Sequence, residues 1–465
     1  MPNDVPWNAG EAAPSINQSA MAPSPVDFGK MKVLAQPVRC ARPAVTTLEA
    51  IFHRQARGKA IFEVLFVAGV IAGLSQFWFP AGICFGRGTE TVDIARSLAH
   101  SGAFADPFGI AATGLTANQP PLFPLLLGAL MKLVGDAPLF AFVATLVCIA
   151  VQALHAALLP RLSLLLFGEL RTGIYAGGLS VLALRLMPSW DAIYTATGLI
   201  LFCLLAARLL DKAASVRRAG AITGLFAGAL TLLNPASLLV SAPCSLFFVR
   251  RRKLALCSLL TFYPAFAIGV AAICLPWVVR NYVQLGVFGL RDNFGLTLFA
   301  SNNPCAESSL ALELASGCNQ ANNPTSSIGE ARELQAVGEK EYDRRKTSAV
   351  IHWVLQNPQR FRELTVARVA QFWFPARYSI NPVYYSYSAW IITLLSIPGL
   401  IIAVGRRMPA ALLVLGVWLV YPTMYYLVVS DMRYRYPIFW LSLLCAGYSL
   451  SALQSFVWKP AFHER

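Results

Sequence analysis

Long apolar segments recur along the whole chain, and most of them are close to the length of a helix that crosses a bilayer. Within these segments apolar residues follow one another continuously instead of alternating with polar ones. A continuous run is typical of a membrane-spanning helix, which satisfies its backbone hydrogen bonds internally, and not of a membrane β-strand. The pattern therefore predicts an all-α polytopic membrane protein. The segments lie near residues 61–80, 120–135, 138–159, 172–187, 192–210, 219–233, 236–249, 254–276, 385–404, 409–429 and 436–455.

Basic residues near the segment ends indicate how the predicted helices are oriented. Arg54, Arg57 and Lys59 precede the first segment, and Arg406 and Arg407 lie between two of the last three. Lys and Arg collect on the cytoplasmic side of membrane proteins, so both termini are expected to be cytoplasmic. Two cytoplasmic termini require an even number of crossings, and we expect about 10–12 transmembrane helices of roughly 20 residues each.

The same pattern divides the chain into five regions. Two polar stretches are expected on the external side, and the larger one carries amphipathic helices that we interpret as a lid or acceptor platform lying on the bilayer. The regions are a disordered cytoplasmic tail (1–58), an N-terminal transmembrane module (59–276) with a first external loop (81–119), a large external loop (277–383), C-terminal transmembrane helices (384–457) and a cytoplasmic tail (458–465).

The composition agrees with the prediction of a membrane protein and argues against a nucleic-acid-binding protein. The 465 residues are 56% hydrophobic and only 13% charged, whereas a soluble domain averages about 25% charged residues. The net charge of +15 could indicate a nucleic-acid partner, but no long basic run is interleaved with aromatic residues. The basic excess is therefore interpreted as membrane topology, and no nucleic-acid partner is expected.

The first external loop contains a short amphipathic helix. At helical spacing its polar residues fall on one side and its apolar residues on the other. A helix of this kind is expected to lie on the membrane surface with its carboxylates facing away from the lipid. An ordinary surface helix with solvated acids would show the same pattern. The polar side carries Glu90, Asp93, Arg96, Ser97 and His100, and the apolar side carries Val92, Ile94, Ala95, Leu98 and Ala99.

This loop resembles a known family. The pattern E-x-x-x-I-A-x-x-L at Glu90 to Leu98, followed by SGAFADPF and TANQPPLFPLLLGALMKLVG, is similar to the first periplasmic loop of the GT-C glycosyltransferases. The similarity is to the bacterial branch that includes protein mannosyltransferases and lipid A aminoarabinose transferases. The resemblance implies an acidic catalytic base on the loop. Glu90 matches that position best, while Asp93 and Asp106 stay as alternatives.

Two later stretches carry the same resemblance. LPWVVRNY followed by ASNNP matches the end of a spanning helix and the start of the large external loop. SDMRYRYP resembles the R-Y-R-x-P signature of the branch. A guanidinium group on the external side can bind a phosphate in a bidentate manner, although an arginine at a helix end can also simply extend toward water. The resemblance assigns substrate binding to Pro120, Pro121, Arg280, Asn302, Arg433 and Arg435.

What the resemblance implies is a membrane glycosyltransferase. It would move a hexose or pentose from a polyprenyl-phosphate donor to a glycan, lipid or protein acceptor hydroxyl, with inversion, at the external face of the bacterial cytoplasmic (inner) membrane. No cofactor is expected, and a divalent metal is compatible with the resemblance but is indicated by no motif. A polytopic lipid or glycan transporter or flippase is the alternative, although no repeat between the two halves is visible. A membrane scaffold would leave the loop signature unexplained.

The cysteines suggest one further feature. Ten are present without zinc-type spacing, and most lie inside apolar segments, where cysteine behaves as a small hydrophobic residue. Cys305 and Cys318 lie in the large external loop, where an oxidising compartment would favour a disulfide. Two free thiols in a mobile loop are the alternative.

Overall fold

A computed structural model describes residues 48–78, 89–135, 138–184, 186–211, 215–252, 256–375 and 383–457. These residues form 18 α-helices, three 3-10 helices and two isolated β-bridges. The prediction of an all-α polytopic membrane protein is confirmed. The first helix begins at Leu48, inside the region that the sequence analysis treats as a tail, while residues 1–47 and 458–465 lie outside the described residues.

Eight of the described helices are long and apolar enough to cross a membrane. The first external loop of the sequence analysis begins in residues outside the described ranges and continues from Thr89. The eight helices, with the 3-10 extension of the seventh, are α1 (Leu48–Trp78), α4 (Leu139–Leu166), α6 (Ala192–Asp211), α7 (Val216–Leu233), α9 (Leu256–Leu285), α16 (Val383–Gly405), α17 (Pro409–Val420, continued by a 3-10 helix at Tyr421–Tyr426) and α18 (Tyr436–Val457).

Three further segments that the sequence analysis counted as spans form shorter helices. They contain 13, 14 and 14 residues, whereas a straight crossing takes about 20. Within the described ranges, the helices that meet the length of a span are therefore fewer than the expected 10–12. The shorter helices are α3 (Leu122–Val134), α5 (Leu170–Ala183) and α8 (Leu238–Arg251), the last preceded by a 3-10 turn at Pro235–Ser237.

The polar regions are helical as well. The first external loop carries one amphipathic helix, and the large external loop folds into six helices. A last 3-10 turn, Met432–Tyr434, precedes α18. The loop helices are α2 (Glu90–Ser101), α10 (Phe294–Ser301), α11 (Leu310–Ser316), α12 (Cys318–Asn322), α13 (Ile328–Val337), α14 (Glu339–Gln356) and α15 (Pro358–Trp373).

Small residues allow the membrane helices to pack closely. Gly220, Gly224 and Gly228 recur every fourth residue on the face of α7 that meets α9. A Cβ added at Gly220 would lie 2.5 Å from the Phe262 carbonyl oxygen, and one at Gly224 would lie 2.2 Å from that of Phe266. Helices in lipid associate through such close backbone contact, because burial of apolar surface provides little drive there. Packing against these glycines occupies one face of α9, and the opposite face is available for other contacts.

The disulfide expected from the sequence is present. Cys305 and Cys318 are bonded, with a Cα–Cα distance of 5.6 Å. The bond closes the segment that contains Ser308 and Ser309. That segment pairs with Ser430 through two hydrogen bonds: the amide of Leu310 donates to the Ser430 carbonyl, and the Ser430 amide donates to the Ser308 carbonyl. The large external loop is therefore tied to the chain just ahead of the Met432–Tyr434 turn.

Candidate active site

Helix α2 is positioned by packing against α3. Val92 and Ala95 on its apolar side are fully buried, and Gly128 of α3 leaves room for Ala95 and Leu98. The helix ends at Gly102, whose φ of 73° is left-handed and suits glycine. The apolar side of α2 therefore covers another helix, not lipid as the sequence analysis expected, because α3 follows closely enough in the chain to fold back onto it.

Glu90 is the first residue of α2 and is half-buried. The Gln119 side-chain amide donates a hydrogen bond to Glu90 Oε2. Gln119 directly precedes Pro120 and Pro121, which are buried and lead into α3. A proline restricts the backbone of the residue before it, so Pro120 limits the conformations of Gln119, the partner of Glu90.

The two alternative acids are occupied by structural contacts. Asp93 is buried, and its Oδ1 lies 2.7 Å from Arg96 Nη1 in an ion pair. Asp106 has a positive φ of 54°, and its Oδ1 accepts a hydrogen bond from the Gly114 amide at 2.8 Å. The Asp106 amide in turn donates to the Gly114 carbonyl, so this carboxylate closes a turn. Asp93 thus has a charged partner and Asp106 closes a turn, whereas Glu90 accepts its hydrogen bond from the neutral Gln119 side chain.

Arg280 holds the first external loop in place. Its Nη1 donates to the Thr116 carbonyl at 2.7 Å, and its Nη2 donates to the Phe104 carbonyl at 3.2 Å. The guanidinium also lies 4.9 Å from the Trp277 ring centroid. Two carbonyl oxygens therefore take the N–H groups that the sequence analysis assigned to a substrate phosphate. In this structure Arg280 is a clamp between α9 and the loop.

Arg435 is buried, and it also donates hydrogen bonds to other parts of the protein. Its Nη1 donates to the Trp373 carbonyl and to Thr393 Oγ1, both at 2.8 Å, and its Nη2 donates to Ser442 Oγ. Burial lowers the pKa of Arg435 to about 9. These contacts join α15, α16 and α18. A guanidinium enclosed in this way does not reach an external phosphate, and the pattern of the sequence could not distinguish it from Arg433.

Asn302 also has a structural position. Its Oδ1 accepts a hydrogen bond from Arg368 Nη1 at 2.9 Å, and its side-chain amide donates to the Leu427 carbonyl at 2.9 Å. Arg368 is fully buried and also donates to the Ser301 and Glu307 carbonyls. Sequence reasoning missed Arg368, which lies on the amphipathic helix α15 where a charge at helical spacing normally faces water. Together the pair ties α15 to the end of α10 within the large external loop.

Arg433 differs from the other two arginines. Its guanidinium carbon lies 3.7 Å from the Trp190 ring centroid, and Nη2 donates to the Tyr434 hydroxyl. Its Nε, like that of Arg435, has no hydrogen-bond partner among the described residues. Burial lowers the pKa of Arg433, but Tyr434, Asp431 and Glu90 raise it, so the net pKa lies above the ordinary arginine value. Arg433 is therefore a permanent cation within electrostatic range of Glu90.

A second carboxyl group that sequence reasoning missed lies beside Arg433. Asp191 directly precedes α6, and its Oδ2 accepts hydrogen bonds from the Asn234 side-chain amide at 2.8 Å and from Thr195 Oγ1 at 3.2 Å. Burial raises the pKa of Asp191, while Asn234, Thr195 and the Arg433 charge oppose the rise. The sequence offered one indication of this residue, namely an acid placed directly before the apolar segment 192–210.

Tyrosines and one more arginine complete the surroundings. Tyr425 stacks on Tyr434 with ring centroids 4.7 Å apart, and the Tyr421 hydroxyl donates to the Tyr434 carbonyl. Arg291 is exposed and lies within electrostatic range of Tyr425. The described residues include no group of three or more His, Cys, Asp or Glu side chains arranged to hold a metal ion. The fixed charges of the described site are thus carboxylates and arginines.

No protein-family model matches the chain, and no curated protein matches it by sequence. Solved structures do resemble it. An Archaeoglobus fulgidus oligosaccharyltransferase complexed with zinc and sulfate gives a TM-score of 0.49 at 12% identity, covering 84% of this chain and 49% of its own. The archaeal oligosaccharyltransferase AglB from the same organism, complexed with an inhibitory peptide and a dolichol-phosphate, gives 0.52 at 14% identity, covering 89% and 53%.

The second of these similarities establishes the fold. The chain spans about half the length of the solved structures it resembles. Over most of its length the chain therefore has the fold of this oligosaccharyltransferase. Membership of the GT-C superfamily, and of its bacterial branch, stays a prediction.

Proposed function

We propose that the protein is a membrane glycosyltransferase that moves a sugar from a polyprenyl-phosphate donor to an acceptor hydroxyl. The observation that carries the proposal is the pairing of Glu90 with a permanent cation. Glu90 starts a loop helix and is held by Gln119, while Arg433 lies within electrostatic range of it. A proton acceptor beside a fixed positive charge is the arrangement that glycosyl transfer from a phosphate leaving group requires.

Glu90 is the proposed general base. The acceptor hydroxyl gives its proton to the Glu90 carboxylate as its oxygen bonds to the anomeric carbon of the donor. The bond between that carbon and the phosphate oxygen breaks, and its electron pair leaves on the polyprenyl phosphate. Attack opposite to the leaving group inverts the anomeric configuration.

Arg433 is the proposed phosphate ligand, and Arg291 is its proposed companion. The Arg433 Nε is unpartnered among the described residues, and Arg291 is exposed near Tyr425. Each can donate charge-assisted hydrogen bonds to phosphate oxygens, which gain negative charge as the sugar leaves. Arg280 and Arg435 were expected to join them, but both Nη atoms of each donate hydrogen bonds to protein carbonyls or hydroxyls. We assign those two to the support of the site.

Asp191 is proposed as a positioning residue. Its Oδ2 is fixed by Asn234 and Thr195, and its neighbour Trp190 stacks on the guanidinium of Arg433. The carboxyl group and the ring together restrict where Arg433 can point, because a planar guanidinium stacks and pairs in defined directions. The fixed arginine supplies the positive charge in this mechanism.

The external face of a bacterial inner membrane is the proposed location. The Cys305–Cys318 disulfide lies in the same external region as the site, and disulfides persist in oxidising compartments. A glycan, lipid or protein hydroxyl is the proposed acceptor. The solved AglB complex contains a dolichol-phosphate and a peptide, which is compatible with a lipid-linked donor for this chain but does not identify its sugar.

The proposal is tested by reconstituting the full chain in proteoliposomes with radiolabelled polyprenyl-phosphate hexoses and pentoses. The expected result is release of polyprenyl phosphate together with a labelled glycoside of inverted configuration, measured by chromatography and NMR. Donor that changes leaflet without loss of its sugar would indicate a flippase. If folded protein neither cleaves nor moves any of the donors, both functions would be contradicted.

A further inference from the structure

Helix α9 has one exposed apolar face. Its other face packs against the glycines of α7, so the exposed residues lie on the side away from the bundle. Leu275, Val279 and Val283 recur at intervals of four residues and are 51%, 55% and 74% exposed. In a helix that crosses a membrane, such a stripe faces lipid. The stripe continues to the last turns of α9, on the side where the large external loop begins.

The chain after α9 turns back along the same helix. Gly286 makes the turn with a φ of 68°, a conformation that glycine adopts readily. The Asn281 side-chain amide, fully buried, donates to the Gly289 carbonyl at 2.8 Å, and Trp277 Nε1 donates to the Leu290 carbonyl at 3.3 Å. Since Trp277 lies two turns before the end of α9, the loop 286–293 runs back toward the membrane-spanning part of the helix.

This returning loop presents two aromatic side chains outward. Phe288 is 83% exposed, and Phe294, the first residue of α10, is 66% exposed. The loop beneath them accepts hydrogen bonds from Trp277 and Asn281, so the exposure is a property of the folded backbone and not of a free tail. Lys340 is exposed beside the turn, and its Nζ donates to the Gly286 carbonyl at 2.8 Å. Aromatic side chains next to a basic residue at the end of a spanning helix are typical of the membrane interface.

We infer that loop 286–294 is a membrane-interface anchor of the large external loop, with Phe288 and Phe294 inserted between the lipids of the adjacent leaflet. The occupant of this surface is lipid, because the loop runs back beside the last two turns of α9, whose stripe of exposed apolar side chains faces lipid. Lys340 lies where it can pair with lipid phosphates. This inference does not depend on the proposed transfer reaction.

The anchor is connected to the candidate active site. The Asp292 amide donates to the Ala117 carbonyl at 2.8 Å, and Ala117 is two residues before Gln119, the partner of Glu90. A loop seated at the lipid interface would therefore set the height of α2 relative to the lipid headgroups. The anchor would thereby also set the depth in the membrane at which α2 can contact a lipid-linked phosphate.

Site-directed spin labelling tests the anchor in the full-length protein. Single cysteines replace Phe288, Phe294 and, as a matched control, Ile328, which is 57% exposed at the start of α13. Cys257, an exposed thiol, is first changed to serine, together with Cys40 and Cys84, which lie outside the described residues. The other described free cysteines are buried and are kept. The labelled protein is reconstituted in phosphatidylethanolamine and phosphatidylglycerol vesicles, and accessibility to oxygen and to a water-soluble nickel chelate is measured.

Oxygen concentrates in the bilayer and the nickel chelate stays in water. The expected oxygen-to-nickel accessibility ratio is at least about threefold higher at positions 288 and 294 than at 328. Equal ratios at all three positions would show that the aromatics face water and would overturn the inference. Exclusion of both reagents at 288 and 294 would show protein coverage and would also overturn it. Labels at two exposed positions guard against the failure of one variant to fold.

Discussion

The guanidinium carbon of Arg433 lies 3.7 Å from the ring centroid of Trp190, the residue directly before Asp191. The contact brings a cation from the turn before α18 to the start of α6, far away in the sequence. Because Glu90 is within electrostatic range of the same guanidinium, this one contact assembles the acid, the cation and the second carboxyl group into a single site.

Replacing Glu90 with glutamine is expected to lower sugar transfer at least about 100-fold, since general base catalysis contributes 10²–10⁴-fold and an amide cannot accept the proton. Glutamine keeps the shape and the contact with Gln119, so folding and membrane insertion should be unchanged. Initial rates in proteoliposomes measure the effect. Glu363→Gln, at an exposed position of α15, is the matched control. Activity of Glu90→Gln within about threefold of wild type would move the base to Asp93 or Asp106.

Lysine at Arg433 is expected to reduce transfer by about tenfold or more without a large loss of stability, because a planar fork becomes a point charge. The KM for the donor and kcat should be measured separately, since a phosphate ligand acts on the leaving group in the transition state. An unchanged kcat in folded Arg433→Lys protein would contradict the assignment of Arg433 to the phosphate.

Arg280→Lys should behave in the opposite way. It removes hydrogen bonds to the Thr116 and Phe104 carbonyls, so we expect a loss of roughly 1–3 kcal/mol of stability. Thermal unfolding in detergent measures the loss. A variant of normal stability that no longer binds donor would return Arg280 to the substrate site.

The Glu339 carboxyl group predicts a pH dependence of stability. Burial raises its pKa to about 8, with Asp292 adding to the rise and Arg280 opposing it. The folded protein therefore holds a proton that the unfolded chain releases near its ordinary pKa of 4.5, so stability should fall as pH rises from about 4.5 to 8 and level off above that. Burial also raises the pKa of Asp292 to about 6, and this group changes the stability in the same direction.

Glu339→Gln isolates this contribution. Glutamine can still accept the hydrogen bond that the Ala117 amide donates to Glu339 Oε1 at 2.9 Å, but it does not titrate. We expect melting temperatures measured between pH 5 and 8.5 to fall less steeply for the variant than for wild type. Identical slopes would mean that Glu339 is ionised in the folded protein.

Removing the Cys305–Cys318 bond by a double serine substitution is expected to lower stability by about 3 kcal/mol, the size that loop closure predicts for a short loop. Mass spectrometry after maleimide labelling in denaturant, without a reductant, should give wild type no more adducts than the double variant. Two additional adducts on wild type would show that the bond is absent from the protein in cells.

Much of the fold followed from local patterns in the chain. A continuous apolar run can satisfy its backbone only as a helix in lipid, so α4, α6 and α9 were predicted close to where they lie. The α2 boundaries were equally local, since Glu90 begins the polar periodicity and Gly102 takes the left-handed conformation that ends it. The pairing of two cysteines thirteen residues apart also needed little information from elsewhere in the chain.

Tertiary structure alone decided which charged groups belong to the candidate site. Arg280, Arg433 and Arg435 share the same sequence setting, at the ends of predicted spanning helices. Both Nη atoms of Arg280 and of Arg435 donate to protein oxygens, whereas Arg433 donates from Nη2 to Tyr434 and interacts electrostatically with Glu90. The position of Asp191 beside Arg433 was invisible for the same reason. The state of a guanidinium depends on which distant carbonyls and carboxylates the packing of other helices brings within hydrogen-bond reach, and periodicity along one segment contains no information about those distances.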